Sequence, residues 1–494
     1  MKHVVVMAVL LLFVVPVSGQ QRGAGWEKEV PARTDTTHLS LEDALKRARS
    51  ESEEVGLARA QVELAETQIK GTRAQALPQI SGNLGYTRTF ASQFESGGFT
   101  LPDSLRFQPD SLALLEDRVR YLERAAPLAG LGALGTLFGD LPFGQEHTYT
   151  AFVSGSQLLY SGGRVGAAMD VAENFRDAAR LQEQEATAAL ELDVERAYYN
   201  AKLAQELESI AQAAVEQAEE FLAQERLRER AGTTSELDVL RAEVSVSNLR
   251  AQQVAARNAA ELAMLDLRRL VNLPADQPVA LTTELEVPSE AERAPIVIPE
   301  GWIEESPAVQ AAMRTVRMRE LNVRINRGNF LPSVTLQMNF GKTGFPVRAF
   351  DTNADWRTDW TAGIQVEVPI FDGFRRSAQV EEAQVQLTQS RLQFVQLRES
   401  LQMQQQQALG ERQRAAASIA AREQTVTQAQ RVYDLTVLRY ERGLATQLEV
   451  NDARLALLQA RTNLAQAVSD FHIAEATVVR TLGGSVAAAR ILNR

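Results

Sequence analysis

The chain has 494 residues, 45% of them hydrophobic and 23% charged, the balance of a folded protein rather than a disordered one. Its 52 Lys and Arg against 63 Asp and Glu leave a net charge of −11, which argues against a nucleic-acid partner. With no cysteine, it can build neither a disulfide framework nor a cysteine-linked lipid anchor.

Met1-Lys2-His3 precedes twelve unbroken apolar residues, Val4 to Val15, and then the small residues Ser18 and Gly19. This pattern predicts a secretory signal peptide over 1–19. Twelve residues are too few for a bilayer core of ~30 Å, which needs roughly 20. No later run reaches that length, so any crossing of a membrane must use β-strands. The mature chain is expected to divide into a first repeat over 20–273, a linker over 274–300 and a second repeat over 301–494.

In the first repeat, Ile80–Phe90 and Tyr149–Leu159 read as strands, separated by an exposed loop over 91–147. Within that loop Leu112, Leu115, Val119 and Leu122 have helical spacing. From Val165 to Arg230 there is no proline, and Ala, Gln, Glu, Arg and Leu dominate, which predicts one helix on the order of 100 Å long. Val194, Ala197, Ala201, Ala204, Leu207, Ala211, Val215 and Ala218 form a narrow seam of small and apolar residues, the pattern of helices packed side by side. Gly232 should end this helix, and a second one should return over Thr233–Asn272. Five prolines mark the 274–300 linker.

In the second repeat, Val334, Leu336, Met338 and Phe340 alternate with polar residues, and so do Trp360, Ala362, Ile364, Val366, Val368 and Ile370. The latter run spans 11 residues, enough for a tilted strand to cross a bilayer. Trp356, Trp360, Tyr86, Phe90, Tyr149 and Tyr160 near strand ends suit interfacial girdles. Four such strands cannot close a barrel, so the barrel must be shared between subunits. A proline-free helix follows, broken at Gly443 and resumed over Ala445–Leu482.

The two halves repeat each other. Leu227-Arg-Glu-Arg-Ala-Gly232 and Leu438-Arg-Tyr-Glu-Arg-Gly443 lie 211 residues apart, as do Gly162 and Gly373. Leu77-Pro78 and Leu331-Pro332 lie 254 apart, and the difference assigns 43 extra residues to the loop of the first half. The fold class that follows is mainly α with a small β part, built from a duplicated unit of long antiparallel coiled-coil hairpins.

No enzyme signature survives inspection. Gly130-Leu-Gly132-Ala-Leu-Gly135 satisfies a dinucleotide-loop pattern but lacks its flanking strand and helix. Gly341-Lys342-Thr343 lacks the first glycine of a phosphate loop, because position 336 is leucine. His3, His38, His147 and His472 have no metal-ligand spacing, so no cofactor and no metal is expected. One constellation stands out. Glu449 and Asp452, three residues apart beside the second tip, share a helix face. In a ring of subunits they would become a ring of carboxylates that selects cations.

Taken in order, the duplicated Leu-Pro strand starts at Pro78 and Pro332, the glycine turns at Gly162 and Gly373, and the tips at Gly232 and Gly443 resemble the outer-membrane efflux protein family, the TolC-like channels. The resemblance covers nearly the whole mature chain. It implies a homotrimer with a twelve-stranded barrel in outer-membrane lipid and an α-helical barrel crossing the periplasm. It also implies a periplasmic adaptor protein docking at Gly232 and Gly443 and an inner-membrane transporter behind it. A periplasmic gate is implied at Glu449, Asp452, Asp238 and Tyr440, although the family's basic residue at the second tip is Ala445 here, with Arg439 or Arg442 as substitutes. The expected function is the outer-membrane channel of a tripartite efflux system. The alternatives are the outer-membrane component of type I protein secretion and a secreted coiled-coil structural protein.

Overall fold

A computed structural model describes residues 36–91, 110–125, 146–346, 348, 354–485 and 488; the signal-peptide reading of 1–19 and the glycine pattern at 130–135 fall outside them. Contacts divide the chain into two compact units that cut across the repeats. The first takes Met1–Val55, Thr187–Ile296 and Gln407–Arg480, and the second takes Gly56–Ala186, Val297–Gln406 and Thr481–Arg494.

The elements in chain order are β1 (Thr37–Leu39), α1 (Leu41–Glu51), α2 (Glu53–Ala74), β2 (Gln79–Arg88), β3 (His147–Tyr160), α3 (Arg164–Arg230), α4 (Glu236–Leu270), β4 (Val279–Leu281), α5 (Glu290–Arg293), α6 (Trp302–Glu305), α7 (Pro307–Gly328), β5 (Ser333–Phe345), β6 (Asp355–Glu367), α8 (Arg375–Glu441) and α9 (Gln447–Thr481). A short helix over 115–125 stands inside the 91–147 loop, with Leu115, Val119 and Leu122 of the spaced apolar set on it and exposed.

The duplication is reproduced element by element. The helices α3 and α8 are 67 residues each, α4 and α9 are 35 each, and both pairs start 211 residues apart. The helices α2 and α7 are 22 residues each and start 254 apart. Equal lengths at constant offsets mean that the same start and stop chemistry was copied, not merely the same composition.

In the second unit, β2, β3, β5 and β6 form one antiparallel sheet in that order. Because neighbours run in opposite directions, Gln79, Tyr160, Ser333 and Glu367 all lie at one edge, where the chain enters or leaves helices. The two long loops leave from the other edge. There the pairing register sets Tyr86 opposite Tyr149, Tyr149 opposite Gly344 and Gly344 opposite Trp356. Gly344 has no side chain, so the Trp356 ring lies across it and stacks 6.4 Å from Tyr149, which sits 5.4 Å from Tyr86. Of the six residues expected in girdles, Tyr86, Tyr149 and Trp356 make one contiguous aromatic row, and Tyr160 lies at the opposite end of the sheet. The last expected strand ends earlier than its alternation suggests, at Glu367 rather than Ile370, because Pro369 has no N–H to give the ladder. Both outer strands, β2 and β6, are exposed along their full length.

The first unit is held by the helical seam. Val194, Ala197 and Ala201 are buried together with Tyr198, Val55, Met264 and Leu267, and further along Val215 and Ala218 are buried with Ala214, Val246 and Leu249. Ala204, Leu207 and Ala211 of the same stripe are half-buried. The 274–300 segment carries β4, which pairs in parallel with β1, a pairing no alternation could announce in strands of three residues. Tyr198, fully buried, fastens this pair. Its hydroxyl donates to the Leu39 carbonyl at 3.1 Å and accepts from the Thr283 N–H at 3.0 Å. Arg412, also buried, donates to the Glu292 and Ala294 carbonyls and lies 3.5 Å from Glu475.

One half-buried acid in this unit has an altered affinity for protons. Glu195 sits on α3 one turn from Glu191 and one turn from Tyr199. Burial, then the charges of Glu191 and Glu475, push its carboxyl up to about 7, with Arg49 opposing. A pKa raised above its unfolded value contributes stability that is complete below the unfolded pKa and is lost as pH rises through the folded one. The chain should therefore melt at a lower temperature at pH 8 than at pH 5. In Glu195→Gln this difference should shrink, read by calorimetry of the detergent-solubilised protein at both pH values.

Candidate functional site at the helical tips

The residues named at the tips all belong to the first unit. Both long helices stop in the same way. Gly232 has φ 74° and Gly443 φ 71°, the left-handed region open to glycine. Thr233 N–H donates to the Arg228 carbonyl and Gly232 N–H to Glu229; Leu444 and Gly443 repeat this toward Arg439 and Tyr440. These paired bonds are the Schellman arrangement, which satisfies carbonyls that a helix end leaves orphaned. No atom lies within 4 Å of where a Cβ would stand at either glycine, so φ alone demands it.

The returning helices begin alike as well. Ser235 Oγ accepts from the Asp238 N–H at 3.3 Å and donates to its carboxylate at 2.6 Å. Thr446 Oγ1 accepts from the Glu449 N–H at 3.4 Å, and the Glu449 carboxylate accepts from the Thr446 N–H at 3.0 Å, which closes a capping box. Asp238 and Glu449 are thus one position, 211 residues apart: Glu449 caps its helix, while the Asp238 carboxylate accepts from the Ser235 and Thr234 hydroxyls. Gln447, buried, donates from Nε2 to the Asp238 carbonyl at 2.8 Å and joins the two starts.

Within the described residues, Tyr440 lies beside Glu225. Its ring packs 5.5 Å from Phe221 and under the Arg228 guanidinium at 4.9 Å. Burial and then a hydrogen bond to Glu225 push its hydroxyl up to about 12. Glu225 is fully buried and also accepts from Thr234 Oγ1 at 3.1 Å and from Arg228 at 3.3 Å. Sequence reasoning missed Glu225, yet it lies on the face of Ala218 and Phe221, seven and four residues further along the seam. A charge on a buried stripe was the signal.

Asp452 and Glu449 are both exposed. Asp452 lines an open groove of about 690 Å³ between α4 and α9, beside Leu237, Leu240, Val244, Leu448 and Leu455. Of the two substitutes for a basic residue at Ala445, Arg439 donates to the Leu444 carbonyl at 3.2 Å within its own turn. Arg442 has no side-chain hydrogen bond or ion pair among the described residues. Among the described residues no cluster of His, Asp and Glu could hold a metal ion.

Two copies of a 67-residue helix followed by a 35-residue helix, together with a four-stranded antiparallel sheet, define the class of the TolC-like channels. The family model of the outer membrane efflux proteins matches residues 44–273 and 299–484, and the chain belongs to that family. Its localisation is the outer membrane. The chain is similar to the solvent efflux pump outer membrane protein SrpC of Pseudomonas putida, at 24% identity over 59% of this chain and 62% of that protein. It is also similar to the alkaline protease secretion protein AprF of Pseudomonas aeruginosa, at 27% identity over 68% of this chain and 70% of that one. The match thus spans less than two thirds of the first relative. The crystal structure of the outer membrane protein VceC from Vibrio cholerae superimposes with a TM-score of 0.70 at 19% identity, covering 90% of this chain and 96% of the other.

Gly443→Val forces a β-branched residue to positive φ, at a cost of about 1–3 kcal/mol. Hydrogen exchange in the full chain should speed up around 439–447 while the amides of β3 and β5 stay protected. Tyr440→Phe leaves Glu225 one donor short, at a cost of about 1–3 kcal/mol. It should loosen the same tip without a backbone change, whereas Tyr433→Phe should not.

Proposed function

We propose that this chain is the outer-membrane channel of a tripartite efflux system, a passive conduit for small molecules. The observation that carries the reading is the open sheet. The strands β2 and β6 are 10 and 13 residues long, each long enough to cross a bilayer obliquely, and each is paired on one side only. In lipid an unpaired row of backbone groups is untenable. Three copies joined β6 to β2 give twelve strands and no edge.

In this reading the hairpin tips at Gly232 and Gly443 receive a periplasmic adaptor, and an inner-membrane transporter supplies the energy. The apolar groove beside Asp452 supports the docking part. The periplasmic gate comprises Glu449, Asp452, Asp238 and Tyr440. Among the described residues Asp452 has an unengaged carboxylate and Arg442 no side-chain partner, so Arg442 is free to reach a neighbouring subunit in place of Ala445, while Glu449 contributes charge and caps its helix. A second reading, polypeptide export, is supported by the likeness to the alkaline protease secretion protein.

Mass photometry of the detergent-solubilised protein should return a trimer; a folded monomer would sink the shared barrel. In planar bilayers the trimer should prefer cations and be blocked from the tip side by a trivalent cation, since carboxylates in a confined ring are poorly screened. Asp452→Ala should weaken the block more than Glu449→Ala, and unchanged block in the double variant would remove both from the gate.

A further inference from the structure

Where β6 hands over to α8, the two repeats use one backbone with different residues. Tyr160-Ser-Gly-Gly163-Arg164 of the first repeat corresponds to Phe371-Asp-Gly-Phe374-Arg375 of the second. Gly163 has φ 76° and Phe374 has φ 68°. A bulky residue held at positive φ is an outlier, and here its ring is not repaid by burial. Phe374 is 74% exposed, and so is Phe371, whose ring meets it edge-on at 5.6 Å. Ile370, Phe330 and Leu331 are exposed as well, and Leu331 shares a cleft with Phe371, so this handover presents a patch of exposed apolar side chains.

Beside the patch is a cleft of about 480 Å³ lined by Arg164, Arg375, Arg376 and Asn329, with Asp372 and Glu367 as its acids. Arg376 is spent internally. It donates to the Asp372 carboxylate at 2.8 Å and to the Pro369 and Asn329 carbonyls, and its guanidinium lies over Phe330. Arg164 donates to the Ser161 carbonyl and the Asn329 side chain. Arg375 is different. It is exposed, and its nearest acid, Asp372, is 3.8 Å away and already held by Arg376.

We propose that the exposed rings of Phe371 and Phe374 and the Arg164–Arg375 cleft together bind an anionic phospholipid of the periplasm-facing leaflet, with the rings at the acyl boundary and Arg375 on the phosphate. Aromatic bodies beside guanidiniums suit that depth of a bilayer, where apolar contact and anionic headgroups meet. The site rests on the reading that the sheet spans the membrane. It goes beyond that reading because a barrel needs lipid of no particular charge.

The test is native mass spectrometry of the full chain released from nanodiscs of phosphatidylglycerol and phosphatidylcholine in equal parts. The parent should retain phosphatidylglycerol in preference, and Arg375→Gln should lower that preference roughly fivefold, the contribution of one basic residue at an anionic surface. Phe374→Gly restores the residue of the first repeat and relieves the backbone, so it should fold. It should lower retention of both lipids with their ratio unchanged. Equal retention of the two lipids by the parent, or an unchanged ratio in Arg375→Gln, would overturn the site. A trimer that falls apart in Phe374→Gly would also overturn it, by assigning the ring to a neighbouring copy. Failure of the parent to enter nanodiscs at all would instead overturn the spanning sheet.

Discussion

Backbone hydrogen bonding at the two ends of one small sheet is the constraint on which the rest depends. The strands β2 and β6 leave their outer N–H and C=O groups without partners among the described residues. In water such edges invite indiscriminate pairing, and in lipid each orphaned group costs several kcal/mol. Neither strand carries a bulge that would twist it away from such pairing. In the proposed trimer, closure with further copies would resolve both edges together.

The helices meet a related demand by other means. A 67-residue helix cannot bury its own stripe, and α3 and α8 have little amphipathic contrast, since Ala and Gln line much of their length. Small residues at 3, 4 and 7 spacings let neighbours approach closely, so stability accrues from many modest contacts instead of one thick core. Heavier anchors appear where the pattern is interrupted, at Tyr198 under the β1–β4 pair and at Arg412 under α5. The tips are economical in the same way. Glu449 holds its own helix start and Asp238 the hydroxyls before its own, so charges beside the tips are also structural, and Asp452 has no such duty among the described residues.

The departures between repeats are informative because the backbone is held constant. Gly163 and Phe374 share a left-handed turn, and only the second copy carries a strained, exposed ring there. Tyr440 and Glu225 show the other kind of departure, a buried polar pair near one tip that the copied positions do not reproduce. Position 229, which corresponds to Tyr440, is a glutamate.

The repeat offsets, glycine stops, proline-free runs and alternating strands were legible in the chain because each is a local signal with a fixed period. From them alone came the duplicated plan, the long hairpins, the four strands and the positions of both tips. The sequence did not disclose the three-residue β1 and β4, which are too short to carry a period and exist only because α1 and the segment after α4 meet over Tyr198. Nor did it disclose that Glu225 takes the Tyr440 hydroxyl, or that Glu449 caps its helix while Asp452 faces a groove. Those are decided by which side chains distant segments bring within hydrogen-bonding distance, and spacing along one segment holds no record of what another places against it.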